Sequence, residues 1–211
     1  MKISYGLTVC NEHEEIKNLI EFILENKQPE DEIVVVYDQN RVTDEVMGVL
    51  KSFPLVNSYP FDFQQNFLDN KNFLNSKCTG DYIFQLDADE VPNYYLMAYL
   101  PTLLEMNEGV DLLITARKNI VEGLTPEHVM KWGWRVNEQG WVNWPDAQKR
   151  IYKNDPKIKW SGHQVHGMVS GFETYATLPF EEAFSITHNK TIDRQENQNN
   201  RYDKIEKGEL K

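Results

Sequence analysis

The densest group of side chains able to do chemistry is Asp87-Ala88-Asp89-Glu90, which follows the apolar run 82–86 and precedes Pro92. On an extended chain, two Asp residues at i and i+2 point to the same side. Their hard oxygens suit Mg²⁺ or Mn²⁺, and a cation held there could neutralise a diphosphate. The same residues also read as an acidic strand-end turn capping the next helix. Asp38 ends another apolar run, 32–38, in the same way. Its carboxylate could accept hydrogen bonds from a nucleobase or ribose, or simply open a loop. Lys71 and Asn72 lie in a polar stretch, 63–72. They could reach a phosphate, or form the wet face of an amphipathic helix.

These groups need a scaffold, and the hydrophobic pattern supplies one. Ile3, Tyr5, Leu7 and Val9 alternate as in a strand. Ile16, Leu19, Ile20, Ile23 and Leu24 form one helix face, and Val46, Val49, Leu50 and Phe53 form another. The continuous run 32–38 suits a strand covered on both sides. A short strand at 55–59, a helix over 62–77 with Gly80 as its C-terminal stop, a strand at 82–86 and a strand at 111–116 follow. Between the last two, Pro92 can open a helix that Pro101 should kink or split. Strands alternating with helices predict a mostly parallel, three-layer α/β sheet, with ligands at the carboxyl ends of its strands. Beyond residue 120 the pattern changes to loops and short strands at 148–152, 164–169 and 184–187. All five tryptophans fall between residues 132 and 160, and four of the five histidines lie beyond residue 120. The last segment, 191–211, carries five basic and five acidic residues with few apolar positions and reads as a solvated, lightly packed helix.

Composition narrows the partners. The 211 residues hold 22 Lys and Arg against 33 Asp and Glu, a formal charge of −11, which disfavours nucleic acid and anionic lipid surfaces. No apolar run is long enough to span a bilayer, and the start lacks a secretory signal. Two cysteines, Cys10 and Cys78, are too few for a disulfide framework, so the expected compartment is the cytoplasm with both thiols free. The compact length suits a bacterial or phage-encoded protein.

Taken in order, the segments LTVCNE (7–12), EIVVVYD (32–38) and DFQQNFLDNKNFLNSKCTGDYIFQLDADE (62–90) resemble glycosyltransferase family 2. Members of that family have the GT-A fold. Its motifs are a first strand ending in T-x-x-N-E, a second ending in Asp, a helix with a basic-Asn pair, and T-G-D leading into D-x-D. The likeness covers residues 3–120 and continues more weakly to 190. It implies one GT-A domain over 1–190, with a nucleotide-sugar half at 1–118, an acceptor half at 119–190, and a charged tail at 191–211. By this likeness Thr8, Cys10, Glu12, Asp38, Lys71 and Asp87 line the donor nucleotide, and Asp87 and Asp89 hold Mn²⁺ or Mg²⁺. A late histidine joins the metal in many GT-A enzymes. His166 is the first candidate, His188 the second, and His163 a third.

The likeness implies an inverting, metal-dependent transfer from a nucleoside-diphosphate sugar, expected to be a UDP-sugar. The acceptor is a hydroxyl on a glycan, lipid-linked or other molecule. Asp146, in the segment 141–151, is the expected general base, with Arg150 on the strand after it. Trp144 and Trp160 lie on either side of Asp146 along the chain and could stack on a sugar or fill the core. Two departures stand out. The loop after Asp38 lacks the glycine of the family's short turn, and Val165-His166-Gly167 stands where relatives have V-H-E. They leave room for a catalytically silent carbohydrate-binding protein on the same fold. A sugar nucleotidyltransferase fits less well, because its glycine-rich basic loop is here the acidic segment 10–15.

Overall fold

In the computed structural model, residues 1–210 are described. Strand β1 (Ile3–Val9) lies at the centre of a parallel set, with β2 (Glu32–Asp38) on one side and β4 (Tyr82–Asp87) on the other; β3 (Val56–Phe61) pairs outside β2. The unbroken apolar run of β2 has a direct cause, since it is covered on both faces. Ile33 and Val35 enter a core shared with helices α1 (His13–Asn26), α2 (Asp44–Ser52) and α4 (Tyr94–Met106). Val34 and Val36 enter a second core with Leu74 of α3 (Phe67–Lys77). Helices on both sides of one sheet make the expected three layers.

The chain steps outward from β1 to β2 and β3, then returns to place β4 on the opposite side of β1. This reversal opens a crevice at the carboxyl ends of β1 and β4, where open α/β sheets bind ligands.

Several sequence expectations need correction. The third helix starts at Phe67, not at residue 62, because Gln64 and Gln65 adopt left-handed backbone (φ 40° and 57°). Asn66 then caps the helix by accepting from the Leu68 and Asp69 amides. Gly80 is not a left-handed helix stop. A Cβ there would stand 2.7 Å from the Ser4 backbone nitrogen and 2.8 Å from the Lys2 carbonyl, so this glycine lets the chain pass close beside β1. Helix α4 begins after its cap Asn93 and runs through Pro101 without a break; Pro92 ends the short strand β5 (Glu90–Pro92) instead.

The strand beside β4 is not β6 (Leu112–Glu122) but β7 (Val142–Lys153), inserted antiparallel between the two. The sheet is thus mostly parallel with an antiparallel insertion. Strands β6 and β7 are longer than expected and run beyond the parallel set, carrying side chains out over the crevice. A hairpin of β8 (Lys159–Gly162) and β9 (Gly167–Ser170) packs on α3, and β10 (Tyr175–Thr177) adds to β6. Strand β11 (Ser185–Thr191) pairs with both β6 and β5, which sets His188 across from Asn119 and Glu90. Helix α6 (Ile192–Glu206) follows at once, capped by Thr191. No helix among the described residues is long and apolar enough to cross a membrane.

Candidate functional site

Thr8 and Asp87 are register partners at the ends of β1 and β4, and the Thr8 hydroxyl donates to Asp87 Oδ1 at 3.0 Å. Asp38 ends β2, nearly buried, with its Oδ1 accepting from the Asn40 amide. Lys71 rises from α3, its Nζ 3.4 Å from Asp87 Oδ1 and 4.2 Å from the centre of the Trp160 ring. These residues line a cavity of about 1270 Å³. Eight Lys and Arg residues line it against five Asp and Glu, in a chain whose formal charge is −11. The basic residues are therefore concentrated where an anionic ligand would sit.

A buried ionic chain forms the floor. Arg150 of β7 places Nη2 2.8 Å from Asp87 Oδ2 and 2.7 Å from Glu90 Oε1. Glu90, fully buried, also binds Arg117 of β6 at 2.8 Å. Arg117 in turn holds Asp146 Oδ2 at 2.7 Å. Burial alone would raise these carboxyls, but the opposing cations win. Lys71 and Arg150 hold Asp87 well below the usual carboxylate range. Arg150 lowers Glu90 as well, and Arg117 with Asn119 lowers Asp146.

Asp89 faces a different partner. His188 Nε2 stands 3.4 Å from Asp89 Oδ2, and its Nδ1 lies 2.8 Å from Asn119 Oδ1. Asn119 Nδ2 donates to the Asp146 carboxylate and towards the Val142 carbonyl, so its oxygen must face the imidazole. His188 therefore donates from Nδ1, and in the neutral ring the Nε2 lone pair points to Asp89. Asp89 lies in the turn between β4 and β5 rather than on the extended chain expected, and His188 lies on β11. One oxygen and one nitrogen donor so placed fit a divalent cation that takes its other ligands from substrate phosphate and water. No group of three His, Cys, Asp or Glu side chains converges on a metal position among the described residues, so such a cation needs those outside ligands.

The remaining expected residues divide. Cys10 lines the cavity with its thiol raised by burial and by Glu12. Glu12 is occupied, accepting from the Cys10 and Asn11 amides and pairing with Arg194 at 3.1 Å, so it shapes the loop. Asn72 turns away from the cavity and exchanges two hydrogen bonds with the Trp160 backbone. His166 sits at the rim with Nε2 3.3 Å from Glu206, and His163 is nearby. The imidazole beside Asp89 is that of His188, not the expected His166, because β11 rather than the β8–β9 hairpin pairs beside β5. Asp146 is within the cavity but fully engaged, since Gln148 donates to its second oxygen. Trp160 forms the cavity wall under Lys71, whereas Trp144 packs edge-on against Trp141.

Arg117, Asn119, Arg194 and Arg201 escaped the sequence reading, and Glu90 entered it only as the last residue of the acidic cluster 87–90. Arg117 and Asn119 lie in the polar run 117–119, beyond the strand expected at 111–116, and share one face of β6 because they are two residues apart. Glu90 carried none beyond its neighbours, and the two α6 arginines looked like solvated tail.

The profile of Glycosyl transferase family 2 matches residues 4–195. The chain belongs to glycosyl transferase family 2. No curated protein sequence matches this family 2 member significantly. Among solved structures, the 1–349 fragment of S. aureus TarS in complex with UDP-GlcNAc superposes with a TM-score of 0.62 at 16% identity, over 90% of this chain and 59% of that one. A second structure of TarS 1–349 gives 0.61 at 15% identity, over 90% and 60%. The UDP complex gives 0.54 at 16% identity, over 86% and 62%. The family 2 chain thus spans about 60% of the length of the TarS fragment. At these identities the likeness is one of fold, the GT-A arrangement of a mostly parallel sheet between helices.

Proposed function

We propose that this family 2 protein transfers a sugar from a nucleoside-diphosphate sugar, a UDP-sugar, to an acceptor hydroxyl, with inversion and with Mn²⁺ or Mg²⁺ bound. The observation that carries the reading is the surplus of cations lining a cavity at the β1/β4 reversal of a strongly acidic chain. Family membership supports it, as does the UDP-GlcNAc complex of a protein with the same fold. Inversion rests on the family likeness alone.

Asp89 and His188 would hold the cation, which would neutralise the diphosphate as it leaves. Lys71, fixed over Trp160 by burial and by Asp87, supplies a second positive charge from a dry wall, where it acts more strongly than in water. Thr8 and Arg150 keep Asp87 aimed into the crevice. Asp146 suits the role of anchor for Arg117 better than that of base, because a carboxylate with both oxygens bonded and a lowered pKa takes protons poorly.

The test is a thermal-shift series with UDP and Mn²⁺, paired with hydrolysis of UDP-sugars. A melting temperature that rises only with both ligands, and no longer does so in folded Asp89→Ala, supports the reading. No shift with any nucleoside diphosphate at ~100 times a typical affinity overturns it and favours a silent carbohydrate-binding protein.

A further inference from the structure

Helix α6 is unusual in what it turns inward. Ile205 is its one buried residue, yet Arg194, Gln198, Arg201 and Tyr202 all line the cavity. Their spacing of four, three and one residues puts them on one face of the helix. A helix that presents guanidinium and amide groups to a cavity is forming the wall of a wet site, because a core would require apolar side chains there. The helix is held at each end by other contacts. Ile192 packs at Gly123, and Tyr202 meets Phe67 edge-on at 5.5 Å.

The two arginines meet different parts of the crevice. Arg201 donates to Gln65 Oε1 at 2.8 Å, crosses the Phe63 ring at 5.5 Å, and lies within the electrostatic reach of Cys10, Asp38 and a second cation, Arg41. This is the outer end of β1 and β2. Arg194 pairs with Glu12 and Glu15 and stands 3.9 Å from Asp89 Oδ2, at the carboxylate end beyond β4. Seven helical residues separate the two arginines by ~10 Å, comparable to the span from a nucleoside to its second phosphate.

We propose that α6 is a donor-binding element, with Arg201 contacting the nucleoside end and Arg194 the terminal phosphate of the nucleoside diphosphate. The inference rests on the donor reading above and extends it to a segment that the sequence presents as a solvated tail. Arg201 beside Arg41 gains from a polar or anionic partner. Arg194 keeps N–H donors beyond those engaged with Glu12 and Glu15 and can turn a fork towards phosphate.

Calorimetric titration of UMP and UDP, with Mn²⁺ present throughout, tests the division. Arg201→Met keeps the apolar stem and is expected to weaken UMP and UDP alike, by roughly tenfold or more. Arg194→Met is expected to weaken UDP by ~10-fold and leave UMP unchanged. Unchanged affinities in both folded variants, with only a lower melting temperature, would overturn the proposal and make α6 a structural strap. Equal loss of UMP and UDP in Arg194→Met would overturn the assignment of the terminal phosphate. Wild-type protein that binds neither nucleotide overturns the donor reading itself, and this inference with it. If Arg201→Met does not fold, Arg201→Lys carries the same comparison: it keeps the charge, loses the planar fork, and must still weaken both nucleotides.

Discussion

Asp87 is bound by Arg150, whose Nη2 lies 2.8 Å from Asp87 Oδ2 across the pairing of β4 with β7. The first carboxylate of the acidic motif is therefore committed to the protein's own cations, and the second, Asp89, is the one presented beside an imidazole. Two residues that look equivalent along the chain face different partners because β7 brings Arg150 to the first and β11 brings His188 to the second.

Arg150→Met should destabilise the fold by about 3–5 kcal/mol, the range for removing one partner of a buried ionic group. Asp87 keeps Lys71 and Glu90 keeps Arg117, but each loses its Arg150 bond in a dry environment. Urea unfolding at neutral pH measures this directly. A change below about 1 kcal/mol would show that the network relaxes around the gap.

Acid should unfold the protein through this same chain of charges. Asp87, Glu90 and Asp146 all have lowered folded pKa values. A depressed folded pKa contributes stability that is full above the unfolded carboxylate value, about 4, and is lost as pH falls through the folded value. Asp146→Asn removes one such contribution. The stability difference between wild type and variant should be constant above pH ~5 and shrink as the pH drops below ~4. Urea midpoints across that range provide the measurement, and a difference independent of pH would contradict the linkage.

Asp146→Asn also distinguishes anchor from base. Loss of a general base costs typically ~10²–10⁴-fold in rate and removes the acidic limb of the pH profile. An anchor for Arg117 predicts a loss of less than about tenfold with the acidic limb unmoved. The sugar-transfer or donor-hydrolysis rate against pH decides between them.

Gly80→Ala should lower stability by about 1–3 kcal/mol, the cost of forcing a methyl group into a packed site. The new Cβ would meet backbone atoms of Lys2 and Ser4, which cannot rotate away. Thermal denaturation reads the effect. A silent substitution would mean that the Thr79–Gly80 turn shifts freely against β1.

The sequence alone determined the parallel half of this protein. Alternation in β1, the doubly covered run of β2 and the amphipathic faces of α1 and α2 are local patterns, imposed by periods of 2 and 3.6 residues, and they need no knowledge of distant chain. Asp38, Asp87 and Asp89 were legible for the same reason, because a strand's carboxyl end is a position in sequence. Tertiary structure decided what those carboxylates face. The antiparallel insertion of β7, the pairing of β11 with β5 and the return of α6 bring residues separated by 60 or more positions to within hydrogen-bond distance. They commit Asp87 to Arg150, Asp89 to His188 and Asp146 to Arg117. No periodicity encodes such pairings, because each depends on which strand edge the later chain finds unoccupied, and only the folded sheet presents that edge.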